Sequence, residues 1–291
     1  MKRILILLCL PLMTLAQQTT YVPDDNFEQE LINLGYDNVL DDYVQTSNIN
    51  TVTNLNVNSQ NIADLTGIED FTALTFLNCY DNQLTSLDVS QNTALTVLIC
   101  GNNQLTSLDV SQNTALNSLQ CQNNDLTSLD VSNNTALIYL DCAGNQLTNL
   151  DVTNNIAVFN LQCHYNNLTS LDVSNNTALA LLYCHYNQLT SLDVRNGNND
   201  SVIDFNTINN PNLTCISVDN AAWSTAHWTV ANGNTDPQHY FSNNCSGTGI
   251  EESTTNKELL RTIDVLGRET KNEPLFYIYD DGTVEKKIII E

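Results

Sequence analysis

Six cysteines recur every 21 residues, at Cys79, Cys100, Cys121, Cys142, Cys163 and Cys184, and thiols are the first groups here that could do chemistry. As thiolates they would ligate metal or attack electrophiles; as neighbours they would form disulfides. Zinc sites draw closely spaced ligands from two or more segments, commonly as Cys-x-x-Cys, and that spacing does not occur. A carboxylate column runs parallel to the thiols at Asp88, Asp109, Asp130, Asp151, Asp172 and Asp193, flanked by Ser86, Ser90 and their equivalents. Like charges one repeat apart repel by roughly 1 kcal/mol per neighbouring pair in water. Hydrogen bonds from Ser and Thr, counterions or bound calcium must offset that repulsion. Each repeat offers a single carboxylate and no Asp-x-Asp-x-Asp cluster, so calcium is the weaker reading and no cofactor is expected. A third group comprises Tyr139, His164, Tyr165, Tyr183, His185 and Tyr186, all in the later repeats.

The elements that position these groups follow from the repeat itself. One copy contains Leu95-x-x-Leu98-x-Cys100-x-x-Asn103 and then Leu105-x-x-Leu108-x-Val110-x-x-Asn113, two similar halves. Alternation at Leu98/Cys100 and at Leu108/Val110 predicts short strands with those side chains inward. Such units cannot bury their apolar faces alone, so a constant period implies stacked coils with strands about 4.8 Å apart. Inward cysteines then act as small buried hydrophobes. The column Asn82, Asn103, Asn124, Asn145, Asn166 and Asn187 marks the bend after each strand. There backbone groups lose their ladder partners and need a side-chain amide instead, and the column also lets each amide bond to the next one up the stack.

On these motifs the chain resembles the leucine-rich-repeat family, in a bacterial variant of 21 residues with a doubled motif, over residues 51–205. The resemblance implies a β-rich solenoid, a right-handed coil with short parallel strands on two faces. It also implies a binding or adhesion module. Pro23-Asp24-Asp25-Asn26-Phe27 resembles the helical cap of internalin-type proteins, giving an N-terminal cap over residues 17–50. Asp24 or Asp25 caps a helix over Asn26–Leu34 that stops at Gly35, with Phe27, Leu31 and Leu34 on one face. The first coil, Val52–Phe71, spaces its apolar residues by three and is expected to carry a 3₁₀-like outer side.

Residues 1–16 open with Lys2-Arg3, continue through the apolar run Ile4–Leu15, and end at Ala16. This pattern reads as a secretory signal peptide, too short to span a membrane. Beyond Val194 the repeat decays: Gly197 stands at the second Asn position, Asp200 at a core Leu and Phe205 at the Cys column. Residues 206–249 form a C-terminal cap with Trp223, Trp228, Tyr240 and Phe241, in which Cys215 and Cys245 pair as a disulfide. After Gly247-Thr248-Gly249 the composition changes. Six bases lie between Lys257 and Lys287, and strands are expected at Ile263–Val265, Phe276–Tyr279 and Val284–Ile290. Asp264–Arg268 and Val284–Ile290 resemble the type A C-terminal sorting domain of the type IX secretion system, so residues 250–291 form a small β domain that engages that machinery. The expected location is extracellular or on the outer-membrane surface.

Charge narrows the partners. The chain has 33 acids against 9 bases, and Arg195 is the single base between Gln17 and Ile250. Nucleic acid and anionic lipid require Lys and Arg, so both are excluded as partners. Enzymatic activity is not expected, because the histidines and serines sit on repeat faces without a matched base, acid or metal cage. What remains informative is variation. Outward positions on the Leu/Cys face change from copy to copy, whereas Ser-Leu-Asp-Val stays nearly constant. The changing face is therefore the candidate surface for a protein or glycan partner, centred on Tyr139, His164, Tyr165, Tyr183, His185 and Tyr186. The competing reading is a passive or calcium-loaded acidic solenoid.

Overall fold

The structure, a computed structural model, describes residues 18–245 in full and, beyond them, the backbone of three short strands. The chain divides into two compact units at Cys245/Ser246. The expected leader lies outside the described residues, as do the Gly247-Thr248-Gly249 linker and most of the sorting motif.

Strand β1 (Thr19–Tyr21) pairs antiparallel with β2 (Tyr43–Gln45), and helix α1 (Asp25–Asn33) lies between them. Asp24 is the cap. Its Oδ1 accepts from the amides of Asn26 and Phe27 at 2.9 and 3.0 Å, while Oδ2 takes those of Ala63 and Asp64 at 2.8 and 3.0 Å. One carboxylate thus starts the helix and ties it to the first coil. Phe27 and Leu31 are buried, but Leu34 is 41% exposed because the helix ends there and the chain turns off at Gly35, φ +81°. Glu28, fully buried, accepts the amides of Asp41, Asp42 and Tyr43 and so fixes the loop leading into β2.

Helix α2 (Thr46–Ile49) leads into β3 (Asn54–Asn56), and a 3₁₀ turn at Ile68–Asp70 forms the outer side of that coil. Strands follow at β4 (Phe76–Asn78), β5 (Val97–Ile99), β6 (Ser118–Gln120), β7 (Tyr139–Asp141), β8 (Asn160–Gln162), β9 (Ser170–Asp172), β10 (Leu181–Tyr183), β11 (Ser191–Asp193) and β12 (Asp204–Asn206). The cap adds β13 (Cys215–Ser217), helix α3 (Ala221–His227) and β14 (Tyr240–Ser242). Eight strands, in the order β3-β4-β5-β6-β7-β8-β10-β12, make one parallel sheet, in register coil upon coil. The second face is strand-like only at the C-terminal end, where β9, β11, β13 and β14 pair in parallel; earlier coils contribute the isolated bridge Asp88↔Asp109.

The core is a dry stack. Leu77, Leu98, Leu119, Leu140, Leu161 and Leu182 sit one above another, 0–1% exposed, beside the six column cysteines at 0%. The Asn column works through backbone rather than through amide-to-amide bonds. Asn124 Nδ2 donates to the carbonyls of Cys100 and Cys121, both at 3.1 Å, and its Oδ1 accepts the amide of Leu105 at 2.9 Å. Buried backbone groups at the bend present a stronger need than a neighbouring side chain, and they take the amide first. A second file, Asn92, Asn113, Asn134, Asn155 and Asn176, is fully buried on the opposite bend; Asn134 Nδ2 donates to Val110 and Asn113 carbonyls.

The last coils correct the alignment read from a fixed period. Phe205 stands opposite Leu182, not in the Cys column. Thr207 takes the thiol position, and Asn210 continues the Asn column by donating to the carbonyls of Cys184 and Thr207. This coil is two residues longer, so counting by 21 slips. Likewise Asn196, rather than Gly197, extends the second Asn file, and Val202, rather than Asp200, packs on the core. The coil therefore continues past residue 205, with β13 and β14 adding to the second sheet. Trp228 lies flat on Phe205, centroids 4.1 Å apart, and covers the end of the core. A disulfide joins Cys215 to Cys245 across 5.7 Å between Cα atoms.

The C-terminal unit holds a three-stranded antiparallel sheet, β15 (Leu259–Ile263), β16 (Phe276–Tyr279) and β17 (Val284–Lys286). Its first strand precedes the Ile263–Val265 segment expected from sequence, overlapping it only at Ile263. Among the described residues no helix is long and apolar enough to cross a membrane.

Candidate recognition face

Each group that could do chemistry has a definite environment. Burial pushes the column thiols up, to about 12 at Cys79 and Cys184 and well above the usual range at Cys100, Cys121, Cys142 and Cys163. Protonated and without solvent contact, they pack as small apolar side chains. The Asp column faces outward. Each Oδ1 accepts the amide two residues on, from Ser90 at 2.9 Å, Ser111 at 2.8 Å, Ser132 at 2.9 Å, Thr153 at 2.9 Å and Ser174 at 2.8 Å. Hydrogen bonds from these Ser and Thr residues hold Asp88, Asp109, Asp130 and Asp151 below the ordinary carboxylate range, against the repulsion of neighbouring acids. At Asp193 burial works the other way but is outweighed by Arg195, whose guanidinium and amide both donate to it. Among the described residues no three His, Cys, Asp or Glu side chains gather as a metal-holding group.

The eight-stranded sheet gathers the aromatic residues. His164 and His185, one coil apart, stack with centroids 4.4 Å apart and planes 10° apart; Tyr165 and Tyr186 stack beside them at 4.4 Å and 11°. Tyr183 meets both imidazoles edge-on at 6.4 and 6.3 Å, and its hydroxyl donates to Asp204 Oδ2 at 2.5 Å. Five of the six expected residues therefore form one cluster. Tyr139 stands two strands away, its hydroxyl accepting from Gln162 Nε2 at 3.2 Å, and Gln162 lies beside Tyr183 in the sheet register. Desolvation lowers the His164 pKa; desolvation and then the charge of His164 bring His185 down to about 4. Both Nδ1 atoms are buried without a hydrogen-bond partner. At neutral pH the pair is uncharged.

Backbone conformation singles out the two stacked tyrosines. Their column reads Asp81, Asn102, Asn123, Gly144, Tyr165 and Tyr186, and every member is left-handed, with φ between +53° and +64°. Asp, Asn and Gly are the residues that tolerate this conformation, whereas a bulky residue there costs about 1–2 kcal/mol. Tyr165 and Tyr186 nevertheless occupy it, 52% and 43% exposed. About half of each stays open to solvent although the rings stack, and such outliers concentrate at functional positions.

Sequence reasoning missed the opposite rim of the same face. The column entering each strand runs Thr75, Thr96, Asn117 and then Ile138, Phe159, Ala180 and Ile203, joined carbonyl to amide in file. Ile138, Phe159 and Ile203 are 50%, 43% and 77% exposed. The change from polar to apolar residues along this column was the readable signal. The C-terminal half of the sheet thus carries apolar side chains on one rim, Tyr139 and Tyr183 in the middle, and the His/Tyr cluster on the other.

No protein-family model matches the chain. It is 45% identical over 72 residues to Internalin J of Listeria monocytogenes, covering 25% of this chain and 8% of that protein. Among solved structures it is similar to the functional domain of InlJ from Listeria monocytogenes, described as including a cysteine ladder: 35% identity, TM-score 0.56, 69% of this chain and 52% of that one. Internalin C2 from the same species shares the fold at 18% identity and TM-score 0.58, over 69% of this chain and 97% of that one. The chain spans about half the solved InlJ domain and a small fraction of the whole curated protein. The fold is a leucine-rich-repeat solenoid built of parallel strands.

Proposed function

We propose that this solenoid is a recognition module that binds a protein partner on the C-terminal half of its eight-stranded face. The observation carrying this reading is the Tyr165–Tyr186 pair, held exposed at a backbone position that penalises tyrosine. Stacked on each other and half exposed, the two tyrosines present ring edges and hydroxyls, the kind of aromatic anchor that fills pockets on a protein surface. Catalysis has little to work with: the thiols are protonated and buried, and the imidazoles lack an acceptor on Nδ1 to orient them. On this reading residues 1–16 and 250–291 carry the chain to the cell surface, where the partner resides. Capture of proteins from surface extracts by the parent, by Tyr183→Ala and by His185→Ala tests the site. Loss in both variants with unchanged melting supports it; undiminished capture in both moves the site elsewhere. Binding on a glycan array that Tyr183→Ala abolishes would replace the protein partner with a sugar.

A further inference from the structure

We propose a second ligand site, on the C-terminal cap: a crevice for one neutral sugar ring against Trp223, with Asp200, Asp219 and Asn220 as its polar contacts. The cavity is about 180 Å³ and is lined by these four residues with Gly197 and Asn199. At ~30 Å³ per water this is room for about six waters, the scale of a single pyranose.

Its walls are held by bonds among themselves and by neighbours outside the crevice. The Trp223 amide donates to Asn220 Oδ1 at 3.1 Å, and its indole lies flat on His227, centroids 4.2 Å apart, and edge-on to Trp228 at 5.6 Å. The Asp219 amide donates to Asn199 Oδ1 at 2.8 Å, and its carbonyl accepts from Asn243 Nδ2 at 2.9 Å. The Cys215–Cys245 disulfide fastens the strand before Asp219 to the segment carrying Asn243. Gly197, at φ +76° with nothing within 4 Å of where a Cβ would stand, leaves its side open. Pre-formed walls of this kind lower the ordering cost of a small ligand.

What the crevice leaves unused suits a polyol. Neither the Asp200 nor the Asp219 carboxylate accepts a hydrogen bond among the described residues, and Asn220 Nδ2 donates none. Two carboxylates take hydroxyl protons, one amide gives a proton back, and an indole meets the C–H face of the ring. Acidic sugars are repelled, since Arg195 is already committed to Asp193 and the Asn243 carbonyl.

The chain has two tryptophans, Trp223 and Trp228, so its emission reports on this cap directly. The full chain is titrated with methyl glycosides of neutral hexoses, with methyl glucuronide, and with methylammonium chloride. A saturable emission change with a neutral hexoside at about millimolar concentration is expected, weakened about tenfold by Asp200→Ala and by Asp219→Ala. Both side chains are exposed, so both variants should melt with the parent; Asp200→Asn and Asp219→Asn, which keep the side-chain shape, serve if they do not. Tyr183→Ala should leave the response intact, separating this site from the strand face. Silence with every neutral hexoside, a response to methylammonium alone, or equal responses in the Asp variants overturns the assignment.

Discussion

One coil presents two outer faces built from nearly the same half-motif, and they differ in what they repeat. The Ser-Leu-Asp face is nearly constant, each carboxylate bonded to the amide two residues on. The Leu/Cys face keeps its inward residues fixed and changes nearly everything outward, with Ile138, Phe159, Tyr165 and Tyr186 exposed in its C-terminal half. Uniformity goes with a bond that each coil repeats within itself. Departure from it is sharpest where tyrosine stands in a column that Asp81, Asn102 and Asn123 otherwise fill, the position on which the proposed recognition face rests.

The contrast can be broken first at the shared interior. Asn124→Ala removes four bonds; the carbonyls of Cys100 and Cys121 keep those from Asn103 and Asn145, but the buried amide of Leu105 loses its partner, so about 1–3 kcal/mol of stability should disappear in denaturant unfolding. A loss under ~0.5 kcal/mol would mean that the column is decorative. Cys121→Ala should cost about 1–2 kcal/mol, and a thiol reagent should reach the six column cysteines only in the unfolded chain.

On the variable face, Asp141 is 7% exposed and burial raises its pKa. Its folded form prefers the proton, so the stability it contributes is present at low pH and lost as pH rises through the folded value. Asp141→Asn should therefore raise the melting temperature at neutral pH. His185 has the opposite sign: with a folded pKa near 4 against the usual 6.5, the unfolded chain takes up a proton in that window and the folded chain does not. Stability is complete above pH 6.5 and falls toward pH 4, and His185→Gln should flatten that slope. The smallest effect is expected on the constant face, where Asp109→Asn should shift stability by no more than ~0.5 kcal/mol.

Most of the fold was legible because period and parity are properties of sequence: Leu98 and Cys100 alternate inward whatever lies outside them. Counting failed where coil length changed, and Phe205, Thr207 and Asn210 took their places only once the strand register was known. The Asn amides were half legible: that the backbone of the bend claims them follows from its lost ladder partners, but that it leaves no bond for the amide one coil up does not. Of the site, the His/Tyr cluster showed through its composition. The Ile138–Ile203 rim is written in a change from polar to apolar along one column, whereas the left-handed backbone beneath Tyr165 and Tyr186 comes from the coil geometry and no residue type there announces it.

The most direct test of the contrast between the faces replaces both strained tyrosines by the residue their column otherwise favours, Tyr165→Asn with Tyr186→Asn, and measures melting and partner capture on the same preparation. A melting temperature equal to or above that of the parent, together with loss of capture, is expected. Earlier melting with capture retained would contradict it, placing the tyrosines in the service of the fold.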